Sequence, residues 1–163
     1  SNEVQVLAPI TASLAKPFED DPAHYTVEAG DGTDKYVLGM NNAAGKPTGD
    51  KRVREAIRYA IDHDQLIAAR GGADKALGGP IPSLDPGYED LTGLYPHDVE
   101  KAKALLTEAG YTKEHPLKLT LTYANTYGTD IGDQLRSQLK AVNIVSFDHT
   151  VLFDTETKIF GPY

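Results

Sequence analysis

The chain has 163 residues, 40% hydrophobic and 25% charged; its 24 acidic against 16 basic side chains leave a net charge of −8, and it has no cysteine. That length and composition suit a single globular domain, expected over 1–163 and able to bury a core without staples. The negative charge argues against nucleic acid or an anionic membrane as partner, since either needs a basic face, and the missing thiol excludes disulfides, thiol catalysis and thiolate metal sites.

Ser1-Asn2 reads as a tag scar outside the fold, and both ends read as cuts in a larger protein. The start has neither the basic nor the apolar region of a signal peptide, and no run approaches the roughly 20 apolar residues of a membrane span. "EVQVLAPI" alternates as far as Pro9, which predicts a strand at Val4–Leu7. "TASLAKPFEDDPAH" is expected to hold a short helix broken by Pro17. "YTVEAGDGTDKYVLGMNN" reads as two strands around a Gly-Asp-Gly turn, the second over Lys35–Met40. "AAGKPTG" is loop.

In "DKRVREAIRYAIDHDQLI", Val53, Ala56, Ile57, Ala60 and Ile61 fall on one face at helical spacing, which predicts a helix over 51–61. Asp50 is placed to cap it, and Asp62 to stop it and cap a second helix, with Gln65 closing a capping box and Gly71 ending that helix. Arg58 points away from the apolar stripe. Arg54 sits at its edge near Ile61 and is expected to be partly buried and paired. The Gly- and Pro-rich stretch over 71–94 predicts a long ordered surface loop, a kind of segment that is often functional.

A third capped helix follows over 98–109, with Asp98 as cap and Ala102, Leu105, Leu106 and Ala109 inward. Gly110 and Tyr111 fit a Schellman ending, with Tyr111 folding back on Leu106. "LKLTLTY" puts Leu117, Leu119, Leu121 and Tyr123 on one face of a half-buried strand. Ile131, Leu135, Leu139 and Val142 mark a further helix. "IVSFDHTV" predicts a strand in which Val145, Phe147 and Val151 alternate, and Asp154–Phe160 a short helix. The expected fold class is α/β: a mixed β-sheet of the strands at Val4–Leu7, Lys35–Met40, Leu117–Tyr123 and Val145–Val151, packed by the helices at 51–61 and 98–109.

Few motifs carry chemistry. "AAGKPTGDK" misses the phosphate-binding loop by one residue of glycine spacing and puts Asp50 where lysine belongs. "GDGTDK" lacks the third glycine of a dinucleotide fingerprint, so a turn explains it better. The histidines, His24, His63, His97, His115 and His149, include no i, i+4 pair, so no metal site is expected. Capping explains Asp62 in the Asp62-His63-Asp64 cluster, and solvent exposure the other two. No Gly-x-Ser-x-Gly elbow is present. One loop resists a purely structural explanation: "YANTYG" follows a well-formed strand and precedes a helix. Ligands of open α/β sheets sit beyond the carboxyl ends of strands, and Asn125, Thr126 and Tyr127 offer an amide, a hydroxyl and a phenol there. A plain connection fits the spacing as well.

The order of these pieces resembles the peptide-binding proteins of ABC importers: the oligopeptide and dipeptide receptors and their nickel-binding relatives, solute-binding family 5. The matching motifs are a strand ending in Asn41, the Val-Arg-x-Ala of Val53–Ala56 with the Ala-Ile-Asp of Ala60–Asp62, and the run from Tyr95 through Leu105-Leu106 to Ala109-Gly110-Tyr111. The resemblance implies a non-enzymatic, bilobed receptor of the type II periplasmic-binding-protein kind. This chain would be most of one lobe. The receptor would trap a peptide by hinge closure and deliver it to the permease and ATPase subunits of an importer. It also implies a monomeric, extracytoplasmic parent, periplasmic or lipid-anchored, with no cofactor. The loop after the "LTLTY" strand faces the cleft in that family, which carries a ligand role over to Asn125 and Tyr127. Asn143-Ile144 stands where the family has Gly-Ile, a change asparagine tolerates because it adopts the left-handed conformation. The alternatives are a nickel, haem or other small-solute carrier on the same fold, and an enzyme or sensor domain that borrowed the lobe.

Overall fold

The computed structural model describes residues 4–8, 10, 12–124, 130–154 and 159–161. Eight regular elements follow in order: α1 (Ala12–Glu19), α2 (Lys51–Ala60), α3 (His63–Ala69), α4 (Val99–Glu108), β1 (Leu117–Ala124), α5 (Asp130–Ala141), β2 (Ile144–Asp154) and β3 (Ile159–Gly161). The sheet has the order β1-β2-β3. β1 and β2 are parallel, in register from Leu117↔Ile144 to Ala124↔Val151, and β3 runs antiparallel to the end of β2. The α/β class and the mixed sheet are as expected.

Local chemistry explains why the helices begin and end where they do. The Asp50 carboxylate accepts from Arg52 N at 2.8 Å and caps α2. The forked Arg52 guanidinium on the same carboxylate holds its pKa below the ordinary value, so the cap stays charged at neutral pH and is lost only as pH falls through that depressed value. Asp62 caps α3 through Gln65 N, and the Gln65 amide donates to the Asp62 carboxylate, but the expected capping box does not close, because the Asp62 N–H goes to Gln138 Oε1 and not to Gln65. Gly71 ends α3 at φ 98°, and Gly72 N closes the turn onto Ile67 O. In α4, Tyr111 N donates to Leu106 O and Gly110 N to Thr107 O, with Gly110 at φ 93°, as the Schellman motif requires.

The apolar stripes meet in one core. Val53, Ala56, Ile57 and Ala60 of α2, Ala102 and Leu106 of α4, and Leu135 and Leu139 of α5 bury against Leu117 and Ile144 at the start of the two parallel strands. α5 lies directly on β2, and α2 packs chiefly on α4. Two long-range bonds make α2 and α4 antiparallel. Arg52 Nη1 donates to Glu108 O at the end of α4, and Asp98 N at its start donates to Tyr59 O. Arg54 is half-buried and gives Nη1 to Thr48 O and Gly49 O, each at 2.9 Å, whereas Arg58 is exposed.

Several expectations do not hold. Residues 4–8 form no strand, and Val4, Val6 and Leu7 are exposed. The hairpin over residues 25–42 is absent too; Leu38 and Met40 pack on the core, but no described segment pairs with Lys35–Met40. Alternating apolar residues suit a strand, yet a strand exists only with a hydrogen-bonded neighbour. α1 runs through Pro17 to Glu19 instead of breaking there; the ring removes one N–H near the end of the helix, where few bonds depend on it. β2 begins with the opposite parity, for Ile144 and Ser146 are buried and Val145 is exposed. Part of the predicted last helix, Ile159–Phe160, lies in β3, and residues 155–158 lie outside the described set.

Removing the Asp98 side chain, which accepts from Lys101 N at 2.8 Å, should cost about 1 kcal/mol on Asp98→Ala, the usual loss for an N-cap. His63 is exposed, so His63→Ala should stay within about 0.5 kcal/mol. Chemical denaturation of both variants checks the contrast, and equal losses would contradict it. The Ser146 hydroxyl is buried with no hydrogen-bond partner among the described residues. Ser146→Ala should therefore be neutral or raise stability by up to about 1 kcal/mol, since it removes an unsatisfied polar group. A clear loss on thermal denaturation would show that the hydroxyl is satisfied.

Candidate functional site

Two places on the fold could receive a ligand. The first is the carboxyl edge of the parallel strands. β1 ends at the buried Ala124, α5 begins at Asp130, and the segment 125–129 joins them from that edge. Asn125, Thr126 and Tyr127 lie outside the described residues, so their side chains have no described geometry. Their anchors do. The Tyr123 ring, one residue before the strand ends, lies against Gly132 in the first turn of α5, where an added Cβ would come within 3.1 Å of the ring. A side chain at Gly132 would require the ring to give by a few tenths of an ångström, so the end of β1 and the start of α5 approach closely here.

The second is an open cavity of about 640 Å³ at the carboxyl-terminal end of α2, within the range of small-molecule sites. Its lining comes from residues 35–38 and 40, the α2–α3 junction, residues 76–80, and residues 91–92 and 95–97. Leu38, Met40, Ile57 and Ile61 make its apolar side. Asp62, His63, Asp64 and His97 make its polar rim, with His97 Nδ1 at 3.6 Å from Asp62 Oδ2. Asp62 is held from behind: its N–H donates to Gln138 Oε1 at 3.1 Å, and Gln138 Nε2 donates to its carbonyl at 3.2 Å. Among the described residues no three His, Asp or Glu side chains stand where they could hold a metal ion.

Arg58 does more than face solvent. Its guanidinium lies 3.8 Å over the Tyr95 ring, and Nη2 reaches Gly78 O at 3.5 Å. Tyr95 in turn sits 5.3 Å from Tyr59, and the Lys101 ammonium lies 4.6 Å over Tyr59. Tyr59, then Asp98 and Glu55, hold the Lys101 pKa above the ordinary lysine value. This alternation of cation and ring ties α2, α4 and the 91–97 segment together. From the sequence, Tyr95 stands out only as a motif residue and His97 only among the histidines, and Asp62 and His63 have structural explanations, so none of the four is placed at a site. The local signal for Tyr95 and His97 is a Tyr-Pro-His run before a helix cap.

The loop packs tightly at Gly78. A Cβ placed there would overlap the backbone of Leu91 and Thr92, with Leu91 Cα 2.6 Å away, while at Gly79 the nearest atom would be Leu91 Cδ1 at 3.8 Å. Gly78→Ala should therefore cost about 1–3 kcal/mol, as overpacking does, and speed proteolysis within 71–94. Gly79→Ala should stay within about 0.5 kcal/mol. Thermal melts and limited trypsin digestion of both variants separate them, and matching behaviour would contradict the close approach.

The sequence and fold match known proteins. The family described as bacterial extracellular solute-binding proteins, family 5 (middle region), matches residues 1–152. The di/tripeptide-binding protein 2 of Pseudomonas aeruginosa is 30% identical over 148 residues, 88% of this chain and 27% of that protein. The dipeptide-binding protein of Escherichia coli is 42% identical over 79 residues, 48% of this chain and 15% of that protein. Among solved structures, NikA from Brucella suis in complex with Fe(III)-EDTA superposes with a TM-score of 0.72 at 25% identity, covering 88% of this chain and 31% of that one. The chain thus spans less than a third of each of these relatives.

Proposed function

Since the chain belongs to the bacterial extracellular solute-binding proteins of family 5, we propose that the protein is the receptor of an ABC importer and that this stretch is part of one lobe. The family match over residues 1–152 carries this reading. In it the whole protein works outside the cytoplasm, binds a short peptide between two lobes, closes about a hinge and passes the peptide unchanged to permease and ATPase subunits. No catalytic step is involved: the protein's task is to bind selectively and release.

The carboxyl edge of β1 and β2 is the proposed ligand-facing surface of this lobe. Parallel strands bring their carboxyl ends to one edge, where open α/β sheets receive ligands. Asn125, Thr126 and Tyr127 connect that edge to α5, and we assign them the contacts: an amide to a peptide group, a hydroxyl and a phenol to side chain or terminus. A second reading, a metal chelate as solute, is favoured by the likeness to NikA. There the groups on this lobe would contact the chelator and not the ion, in keeping with the lack of a three-ligand cluster among the described residues.

The 163-residue chain by itself should bind peptide weakly. A cleft receptor divides its contacts between two walls, and closure strengthens the polar ones by excluding water. Suppose the whole protein binds at about 1 μM, near −8 kcal/mol. One wall retains less than half of that, because the cost of immobilising the ligand stays nearly whole. Affinity in the millimolar range or weaker is expected from titration of the isotopically labelled chain with di- and tripeptides. Chemical shift changes should centre on Asn125, Thr126 and Tyr127. Micromolar saturation, or changes confined to 71–94, would overturn the reading; a response to nickel–histidine chelates and not to peptides would transfer it to the metal solute.

A further inference from the structure

Asp31 and Gly32 form the only Asp-Gly pair in the sequence. Both are exposed, in a stretch without helix or strand, and among the described residues the Gly32 N–H donates to no backbone carbonyl. A Cβ added at Gly32 would meet only Asp34 N, at 3.9 Å, so the glycine is not there for want of room. The Asp31 carboxylate reaches across to a distant part of the chain, where the Lys75 ammonium pairs with Oδ2 at 2.5 Å. Together with the Arg70 guanidinium, 4.3 Å over the Tyr36 ring, that pair ties residues 31–36 to residues 70–75.

An aspartate followed by glycine can react with its own main chain. The next residue's amide nitrogen attacks the side-chain carboxyl carbon. A C–N bond forms, one C–O bond breaks, and that oxygen leaves as water with the amide proton and a proton from solvent. Water then opens the five-membered imide. Addition at the side-chain carbonyl restores aspartate; addition at the main-chain carbonyl leaves isoaspartate, with the backbone routed through the side chain and no net change in composition. A side chain on the attacking residue hinders the step, and glycine has none. A backbone held in no ladder or helix is also free to turn into the attack. We propose that Asp31–Gly32 is a self-modification site of this kind, and that the Lys75 ammonium restrains it. The carboxylate must leave Lys75 before the ring can close. Closure removes the charge, and with it the tie to Lys75. Reopening to isoaspartate returns a carboxylate on a lengthened backbone, displaced from the position that Lys75 matches, so residues 70–75 lose one of their two ties to residues 31–36.

The test ages the complete gene product in warm neutral buffer and counts isoaspartate at each aspartate by fragmentation of its peptides, in the wild type, Lys75→Ala, Lys75→Arg and Gly32→Ala. Asp34, equally exposed and followed by lysine, is the internal reference. Isoaspartate should accumulate at Asp31 well ahead of Asp34. In Lys75→Ala it should accumulate about two- to five-fold faster, the worth of an exposed ion pair, and Lys75→Arg, which keeps the charge, should restore the slower rate. Gly32→Ala, which the open surroundings accept, should bring Asp31 down to the rate of Asp34. Trypsin should cut after Lys75 sooner in aged than in fresh wild type, because the tie has been lost. Accumulation at Asp31 no faster than at Asp34 overturns the proposal. Equal rates in the wild type and Lys75→Ala overturn the restraint assigned to Lys75, and unchanged cleavage after ageing overturns the loss of the tie.

Discussion

The fold depends on a pair of apolar residues at the feet of two parallel strands. Leu117 and Ile144 open β1 and β2, lie opposite each other in the ladder, and are both almost completely buried. A single hydrogen bond, Leu117 N to Asn143 O, starts the ladder, and Asn143 stands at φ 66° to make it. That left-handed turn sends the chain from the end of α5 straight back alongside β1. Three helices then close over the two residues. Because all the inward stripes converge there, loss of either side chain would leave a cavity that the helices could not share out, and such cavities cost about 2–5 kcal/mol.

The helical layer is held by devices that join its ends as well as its faces. α2 and α4 are clamped antiparallel by Arg52 on the last carbonyl region of α4 and by the Tyr59 carbonyl on the capping residue Asp98. The arginine adds a favourable charge at a helix carboxyl end. The apolar contact between the helices supplies most of the free energy, and the end bonds decide the register at which it is realised. Gln138 of α5 grips both backbone groups of Asp62 at the α2–α3 junction, so the helix that follows the candidate ligand loop is coupled to the rim of the neighbouring cavity.

The two open features of the chain have different chemistry. At the carboxyl edge of β1 and β2 the Tyr123 ring lies against Gly132 of α5. The cavity beside α2 has an apolar side of Leu38, Met40, Ile57 and Ile61 and a polar rim of Asp62, His63, Asp64 and His97.

What was legible in the residues was whatever physics settles within four or five positions. Asp50, Asp62 and Asp98 each bond a backbone amide two or three residues ahead, and Gly110 with Tyr111 bonds back within one turn. These caps and the stripes between them mark α2, α3 and α4 with no knowledge of the rest, and in series with the Tyr95–Tyr111 run they also identify the family. The candidate ligand contacts, Asn125, Thr126 and Tyr127, were legible only as residue types at a strand end. Strands were decided from outside. Val4–Leu7 and Lys35–Met40 alternate as well as Leu117–Tyr123 does, but only the last has a neighbour to pair with among the described residues. The parity of β2 was decided in the same way: Val145 looked as apolar as Ile144, and the left-handed turn at Asn143 turned Ile144 inward. A helix satisfies its backbone from its own sequence, whereas a strand borrows its partners from distant chain, so only the tertiary structure could choose among the strands.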